Sequence, residues 1–324
     1  MVDAFVAQHL QGVSRTYAIL IPMLPGGLAD AVGVAYLLMR IVDTLEDDPR
    51  LSPSERLRHL SLLEAALDAD AGCAPDTAAV GCVPGRTLHG LGVSKDEREL
   101  MHATPEVFAR VDALDPEYRA PVCACARAMS AGVRRLIVRS AERRLPYPAV
   151  RDAAELREYC YYVAGVVGEM LCAVMAHFLR LPALLRLQDV AVELGIGLQL
   201  VNILKDALQD SQQGRRYLPL AAGGAVAHAE IYTAVLQEAR QSLRRGIEFV
   251  VALPASAREL RSFCGLPIAW GAMTLARAER DASAAKIDRE AVRTSIEHFR
   301  LIAGDDRAVR EWLGGMLRPS PVAT

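Results

Sequence analysis

Gly197-Leu198-Gln199-Leu200-Val201-Asn202-Ile203-Leu204-Lys205-Asp206-Ala207-Leu208-Gln209-Asp210 is the stretch that decides the fold. At helical period Gln199, Asn202, Asp206 and Asp210 fall at i, i+3, i+7 and i+11 and share one face. The positions between them are mostly Leu, Val and Ile. An otherwise apolar helix thus carries a polar stripe that ends in two carboxylates one turn apart. Earlier in the chain, Tyr36-Leu37-Leu38-Met39-Arg40-Ile41-Val42-Asp43-Thr44-Leu45-Glu46-Asp47-Asp48 repeats the design, with Tyr36, Arg40, Asp43 and Asp47 on one face. Buried carboxylates are costly unless positive charge meets them. Two such pairs predict divalent cations held between facing helix ends.

Paired carboxylates are hard oxygen donors and suit Mg²⁺, which keeps several waters and takes its other ligands from phosphates. The expected substrate therefore carries a diphosphate. A single pair would read first as an exposed helix end neutralised by nearby Lys and Arg; two pairs, each continuing an inward stripe, favour a site. Arg15, Arg40, Lys205, Arg215 and Arg216 lie beside the acidic motifs, and Arg grips phosphate oxygens in a bidentate way. Taken singly each reads first as a solvated surface charge, except Arg40, whose helical neighbours are nearly all apolar. A third feature is Tyr159-Cys160-Tyr161-Tyr162-Val163-Ala164-Gly165-Val166-Val167-Gly168. Gly165 and Gly168 weaken a helix by about 1 kcal/mol each relative to Ala and permit close approach of another helix or a ligand. A tyrosine one turn earlier can meet that ligand or pack in the core.

The 324 residues are 52% hydrophobic, which is ample for a large core. Lys and Arg number 37 against 39 Asp and Glu, a net charge of −2, so no charge asymmetry points to nucleic acid. The seven cysteines are scattered and odd in number, without zinc-type spacing. With no basic, apolar leader in the first ten residues, the expectation is a cytoplasmic protein with reduced thiols. Residues 16–39 and 159–179 are apolar enough to be mistaken for membrane spans. The first is broken by Pro22, Pro25, Gly26 and Gly27, and the second carries Glu169 at its centre, which would cost roughly 2.5–3.5 kcal/mol in lipid. No transmembrane anchor is expected.

Helical periodicity runs through nearly the whole chain. Ser52-Pro53-Ser54-Glu55 opens one helix as a capping box with Pro at its first position. Long helices are expected over 116–144, 153–180, 182–210, 228–253 and 257–285, with two shorter ones beginning at Arg289 and Asp305. Residues 71–94 are rich in Gly and Pro and predict an irregular surface segment; 318–324 predict a frayed tail. The fold class is all-α: about ten helices in one large bundle around a central apolar cavity, a single domain over 1–324. A lone Glu-x-x-His at Glu99–His102 disfavours a di-iron bundle, and no phosphate-binding glycine loop or nucleophile elbow is present.

Taken together, Ser14-Arg15-Thr16-Tyr17, the Tyr36–Asp48 stretch, Tyr159–Gly168, Gln199–Asp210, Gly214-Arg215-Arg216-Tyr217-Leu218-Pro219 and Phe263-Cys264-Gly265-Leu266-Pro267 resemble the squalene/phytoene synthase family, in the same order. The resemblance spans roughly residues 14–286. It implies an isoprenoid synthase fold and head-to-head coupling of two prenyl diphosphates, with farnesyl diphosphate as substrate. It implies that Asp43, Asp47, Asp206 and Asp210 bind Mg²⁺ with help from Asn202. Arg15, Arg40 and Lys205 would neutralise the leaving diphosphate. Ser14, Tyr17, Tyr36, Gln199, Asn202, Lys205 and Arg215 would contact substrate, and Tyr162 would stand near the proton lost on coupling. Lys286 and Arg289 correspond to a basic stretch near the nicotinamide site, so NADPH is an implied cofactor. The sequence has Gln209 where the family often has Glu and Tyr17 where Phe is usual.

Squalene is the implied product. The alternatives are presqualene diphosphate, dehydrosqualene or phytoene without NADPH, then a class I terpene cyclase, which 5% aromatic content disfavours, then a catalytically silent scaffold. A water-insoluble product implies peripheral membrane contact for its release.

Overall fold

The computed structural model describes residues 2–68, 94–145, 147–212, 215–219, 224–280 and 287–319. Among them every element is a helix, and the one β feature is an isolated parallel bridge between Ala149 and Arg216. The all-α expectation holds. The segment expected to be irregular at 71–94 lies outside the described residues except for Ser94, as does the tail beyond residue 319. The described residues group into two compact units: residues 1–144 with 173–182, and 145–172 with 183–324.

The first unit opens with α1 (Ala4–Val13), capped by Asp3, and α2 (Tyr17–Leu20). A 3₁₀ turn over Ile21–Met23 carries Pro22, and α3 (Gly26–Asp47) then starts directly after Pro25. α4 (Pro53–Asp68) begins with the expected box: the Glu55 carboxylate accepts from the Ser52 N–H at 2.8 Å, and Glu55 N–H donates to Ser52 Oγ at 3.3 Å. Two helices absent from the sequence reading follow, α5 (Lys95–His102) and α6 (Thr104–Asp112). Both are short; Lys95–His102 is mostly polar, whereas Thr104, Val107, Phe108 and Val111 of the second bury one face at helical spacing. α7 (Pro116–Glu142) matches its expected span and packs on α4. Arg127 donates to the Leu67 carbonyl at 2.9 Å, and Arg134 pairs with Glu64.

The chain from residue 145 onward corrects two expectations. A single helix was predicted over 153–180; instead α8 (Ala153–Cys160) passes into a π-helical turn over Tyr161–Gly165 before α9 (Val166–Phe178). A 3₁₀ turn, Pro182–Leu187, leads into α10 (Gln188–Gln212). The glycines explain the break. A methyl group on Gly168 would overlap the Ala191 carbonyl, and one on Gly195 would overlap the Ala164 carbonyl. α10 is therefore pressed backbone to backbone against the π turn and α9.

α11 (Gly224–Ala252), α12 (Arg258–Ala278), α13 (Arg289–Ile302) and α14 (Asp306–Met316) complete the second unit. α12 stops at Ala278 rather than continuing to 285 as expected. Arg261, 1% exposed, donates to the carbonyls of Val251, Leu253 and Ala303 and pairs with Asp306 at 2.7 Å. One guanidinium thus satisfies carbonyls that helix ends leave orphaned. Two helical stretches, Ala153–Phe178 and Pro182–Gln212, are long and apolar enough to cross a membrane; 56% and 50% of their apolar windows are buried inside the protein.

Candidate active site

The first acidic motif is a narrow opening in a buried helix. Between residues 31 and 48 every residue is buried except Tyr36, Arg40, Asp43 and Asp47, the four positions of the polar stripe. Helical spacing alone places them in line; packing on the remaining sides leaves them as that stretch's access to solvent. Asp43 and Asp47 stand one turn apart at the C-terminal end of α3, where the helix dipole is negative, so their charge is unfavourable without a cation. Burial pushes the Asp43 carboxyl from its ordinary 3.8 up to about 7, against the pull of Arg40 and with a further push from Asp47 and Glu97. Its side chain is still 35% accessible, so this carboxyl is desolvated yet reachable.

Arg40 lies between these groups. Its Nη2 donates to Glu97 Oε1 at 2.8 Å, and its Nη1 is 3.8 Å from Asp43 Oδ2. Burial works against the guanidinium charge, but Asp43, Tyr36, Glu97 and Asp47 outweigh it and hold the group protonated. One turn earlier, burial raises the Tyr36 phenol, and its side chain hydrogen-bonds that of Ser14. Ser14 Oγ also accepts from the Tyr17 N–H at 2.9 Å, and the Tyr17 and Tyr36 rings lie 5.2 Å apart. Ser14, Tyr17, Tyr36, Arg40, Asp43 and Asp47 therefore form one connected group, with Arg15 exposed beside it.

Below the motif, Arg50 Nε and Nη2 each lie 3.1 Å from the fully buried Asp48 carboxylate, and Arg56 donates to the Asp48 carbonyl at 2.7 Å. This clamp and the Glu97 contact were not found from the sequence. Their only signal was a run of charges too long to be ligands alone.

The second motif sits on a more open helix end. Gln199 is half-buried and Asn202 exposed; residues 205–212 are all half-buried or exposed. The Lys205 ammonium donates to Asn202 Oδ1 at 3.3 Å and lies 3.2 Å from Asp206 Oδ2. Asp210 accepts the Arg215 N–H at its backbone carbonyl, 2.8 Å away. The following strand-like segment is tied to Pro148 and Val150 through Arg216, and buried Tyr217 stacks on Tyr159 at 5.0 Å. Gln199, Asn202, Lys205, Asp206, Asp210 and Arg215 thus belong to one helix end and the residues just beyond it.

Tyr162, half-buried in the π turn, meets Tyr161 edge to face at 5.2 Å; Tyr161 in turn donates to Glu169 at 3.0 Å. Phe263–Pro267 is core: Cys264 and Leu266 are buried, and a methyl group on Gly265 would strike the Phe299 ring. Arg289 is the exposed first residue of α13. Lys286 lies outside the described residues.

The donor chemistry fits Mg²⁺. Each acidic turn offers two hard carboxylates, and among the described residues no three His, Cys, Asp or Glu side chains gather to hold a metal by themselves. A cation at either turn would complete its shell with water and phosphate oxygens.

Comparison with known proteins places the chain among relatives of one family. The squalene synthase of Schizosaccharomyces pombe is 29% identical over 213 residues, 65% of this chain and 43% of that one. The matched stretches span less than two-thirds of the length of such curated relatives. A solved structure of TcSQS with the ligand BPH1237 superposes with a TM-score of 0.77 at 21% identity, covering 99% of this chain and 93% of that one. A dehydrosqualene synthase in complex with a ligand gives 0.55 at 20%, covering 96% of each. The family model for squalene/phytoene synthase matches residues 10–297, and the chain belongs to that family.

Proposed function

We propose that this chain is a prenyltransferase that couples two farnesyl diphosphates head to head, through presqualene diphosphate, and reduces the product to squalene with NADPH. The observation that carries the reading is the α3 stripe: four polar side chains, ending in two carboxylates, left open in a stretch otherwise buried. Family membership supports the same chemistry at the second acidic turn. The whole chain would work as a single isoprenoid synthase domain, its apolar interior sheltering the prenyl tails.

Asp43, Asp47, Asp206 and Asp210, with Asn202, would hold Mg²⁺, which supplies charge stabilisation to the departing diphosphate. Arg40, Arg15 and Lys205 neutralise the same oxygens, and Arg215 adds a further guanidinium. Ser14, Tyr17, Tyr36 and Gln199 orient the substrate. The allylic carbon–oxygen bond breaks heterolytically; the second substrate's double bond attacks the cation, and the cyclopropane closes as a proton passes to the released diphosphate, with Tyr162 standing near that proton and the cation. A second ionisation then releases the other diphosphate before hydride is delivered. Arg289, with Lys286, would bind the nicotinamide cofactor's phosphates. A cytoplasmic location with peripheral membrane contact suits a water-insoluble product, and nucleic acid has no role.

The test is incubation with farnesyl diphosphate and Mg²⁺, with and without NADPH, and identification of the hydrocarbon by mass spectrometry. Squalene that appears only with NADPH is expected. The likeness to a dehydrosqualene synthase supports a second reading, in which the product loses a proton instead and NADPH changes nothing.

A further inference from the structure

One carboxylate outside both acidic motifs reaches the first of them. Glu97 is the third residue of α5, and both of its oxygens are engaged. Oε2 accepts from the Ser94 N–H and hydroxyl, each at 3.0 Å, and the Glu97 N–H returns to Ser94 Oγ at 3.2 Å. Such a capping box ordinarily stands in solvent. Here the Glu97 side chain is 21% exposed, because Oε1 accepts from Arg40 at 2.8 Å.

Arg40 has another carboxylate within reach. Its Nη1 is 3.8 Å from Asp43, beyond a hydrogen bond, and its Nε is buried without a partner. A guanidinium free to turn would remove that cost by closing on Asp43 in the two-point manner that Arg and carboxylates prefer. It does not do so because Nη2 is held by an acid already fixed in a helix cap.

We infer that Glu97 is a positioning residue: it holds the Arg40 guanidinium off the Asp43–Asp47 pair, so that a divalent cation meets those two carboxylates instead of the arginine. This rests on the reading that the pair binds Mg²⁺ with diphosphate. Glu97 also balances the Arg40 charge once a second cation arrives, which limits repulsion between the two.

Glu97→Gln separates this role from capping, because Gln serves equally in a capping box. The full chain is melted with fixed inorganic pyrophosphate and increasing Mg²⁺. The parent's melting temperature is expected to rise with Mg²⁺. In Glu97→Gln the Mg²⁺ concentration giving half of that rise is expected to increase roughly three- to tenfold, with the ligand-free melting temperature within about 2 °C of the parent. On an Arg40→Gln background, Glu97→Gln is expected to add no further shift. Ser94→Ala, which weakens the cap and leaves the Arg40 contact, should lower the melting temperature without moving the Mg²⁺ midpoint.

An unchanged midpoint in Glu97→Gln, or an equal shift on the Arg40→Gln background, would overturn the inference and leave the reading of the site standing. A parent protein that fails to respond to Mg²⁺ with pyrophosphate would overturn both.

Discussion

The two acidic turns share a sequence pattern and differ in their surroundings. At the end of α3, Asp43 is a desolvated carboxyl beside a guanidinium that is itself held by Glu97. At the end of α10, Asp206 lies beside the flexible ammonium of Lys205 on a helix end where Leu208 is 53% exposed. The first turn holds its guanidinium through a helix cap elsewhere in the chain; at the second, the Lys205 partners Asn202 and Asp206 lie on the same helix. The helices also differ in support. α10 is packed backbone to backbone at Gly195, whereas α3 at Gly33 rests on the Val6 side chain.

The largest effect expected is on turnover. Asp43→Asn and Asp206→Asn should each cost about 10²–10³-fold in kcat if both turns stabilise the same departing diphosphate. A loss confined to one turn, read in steady-state rates with farnesyl diphosphate, would break the pairing.

The next contrast concerns packing. Gly195→Ala should cost on the order of 2–3 kcal/mol, because the added methyl meets a carbonyl that cannot yield. Gly33→Ala should cost about 1–2 kcal/mol, since the added methyl meets the side chain of Val6, which is fully buried and β-branched but is not backbone. Denaturant unfolding of both variants compares them directly, and equal losses would remove the distinction in support.

Exchanging the cations sharpens the contrast further. Arg40→Lys should lower kcat/KM about tenfold, since an ammonium cannot span two partners as a planar fork does. Lys205→Arg should change it by less than about threefold, because the charge is kept and its partners Asn202 and Asp206 lie on its own helix. Similar losses at both sites would mean that the two side-chain cations are held alike.

The smallest effect is a pH dependence. Asp43 titrates at about 7 in the folded chain and near 3.8 when unfolded. Between those values the folded state holds the extra proton, so metal-free stability falls as pH rises from about 4 to about 7. Discounted for the accessible third of the side chain, the slope sums to on the order of 1 kcal/mol. Asp43→Asn should abolish it, which unfolding curves with a chelator at pH 5 and pH 8 would show. Loss of the proton also favours Mg²⁺, so metal affinity at this turn should rise through the same window.

Much of the helical plan was legible because it is local. The stripes at 36–47 and 199–210 are visible from period alone, and Ser52 with Glu55 announced a cap that the structure contains. The π turn at Tyr161–Gly165 was not legible. It arises where Gly168 and Gly195 let a second helix press in, and nothing in residues 153–180 alone shows that partner. α5 and α6 differ from it, since their signals are local: Ser94 and Glu97 form a capping box, and Val107, Phe108 and Val111 keep helical spacing over a span of only nine residues.

By itself, then, the sequence determined which residues line up: an arginine and two acids on one helix, an amide and two acids on another, each at intervals that only a helix converts into a face. Only the tertiary structure decided their environment. It buried Asp43, set Glu97 against Arg40 across 57 residues of chain, and placed Arg261 over the carbonyls of three other residues. Helical register follows from backbone geometry within a few residues. Desolvation and ion pairing depend on neighbours brought in from elsewhere in the chain, and no local period encodes them.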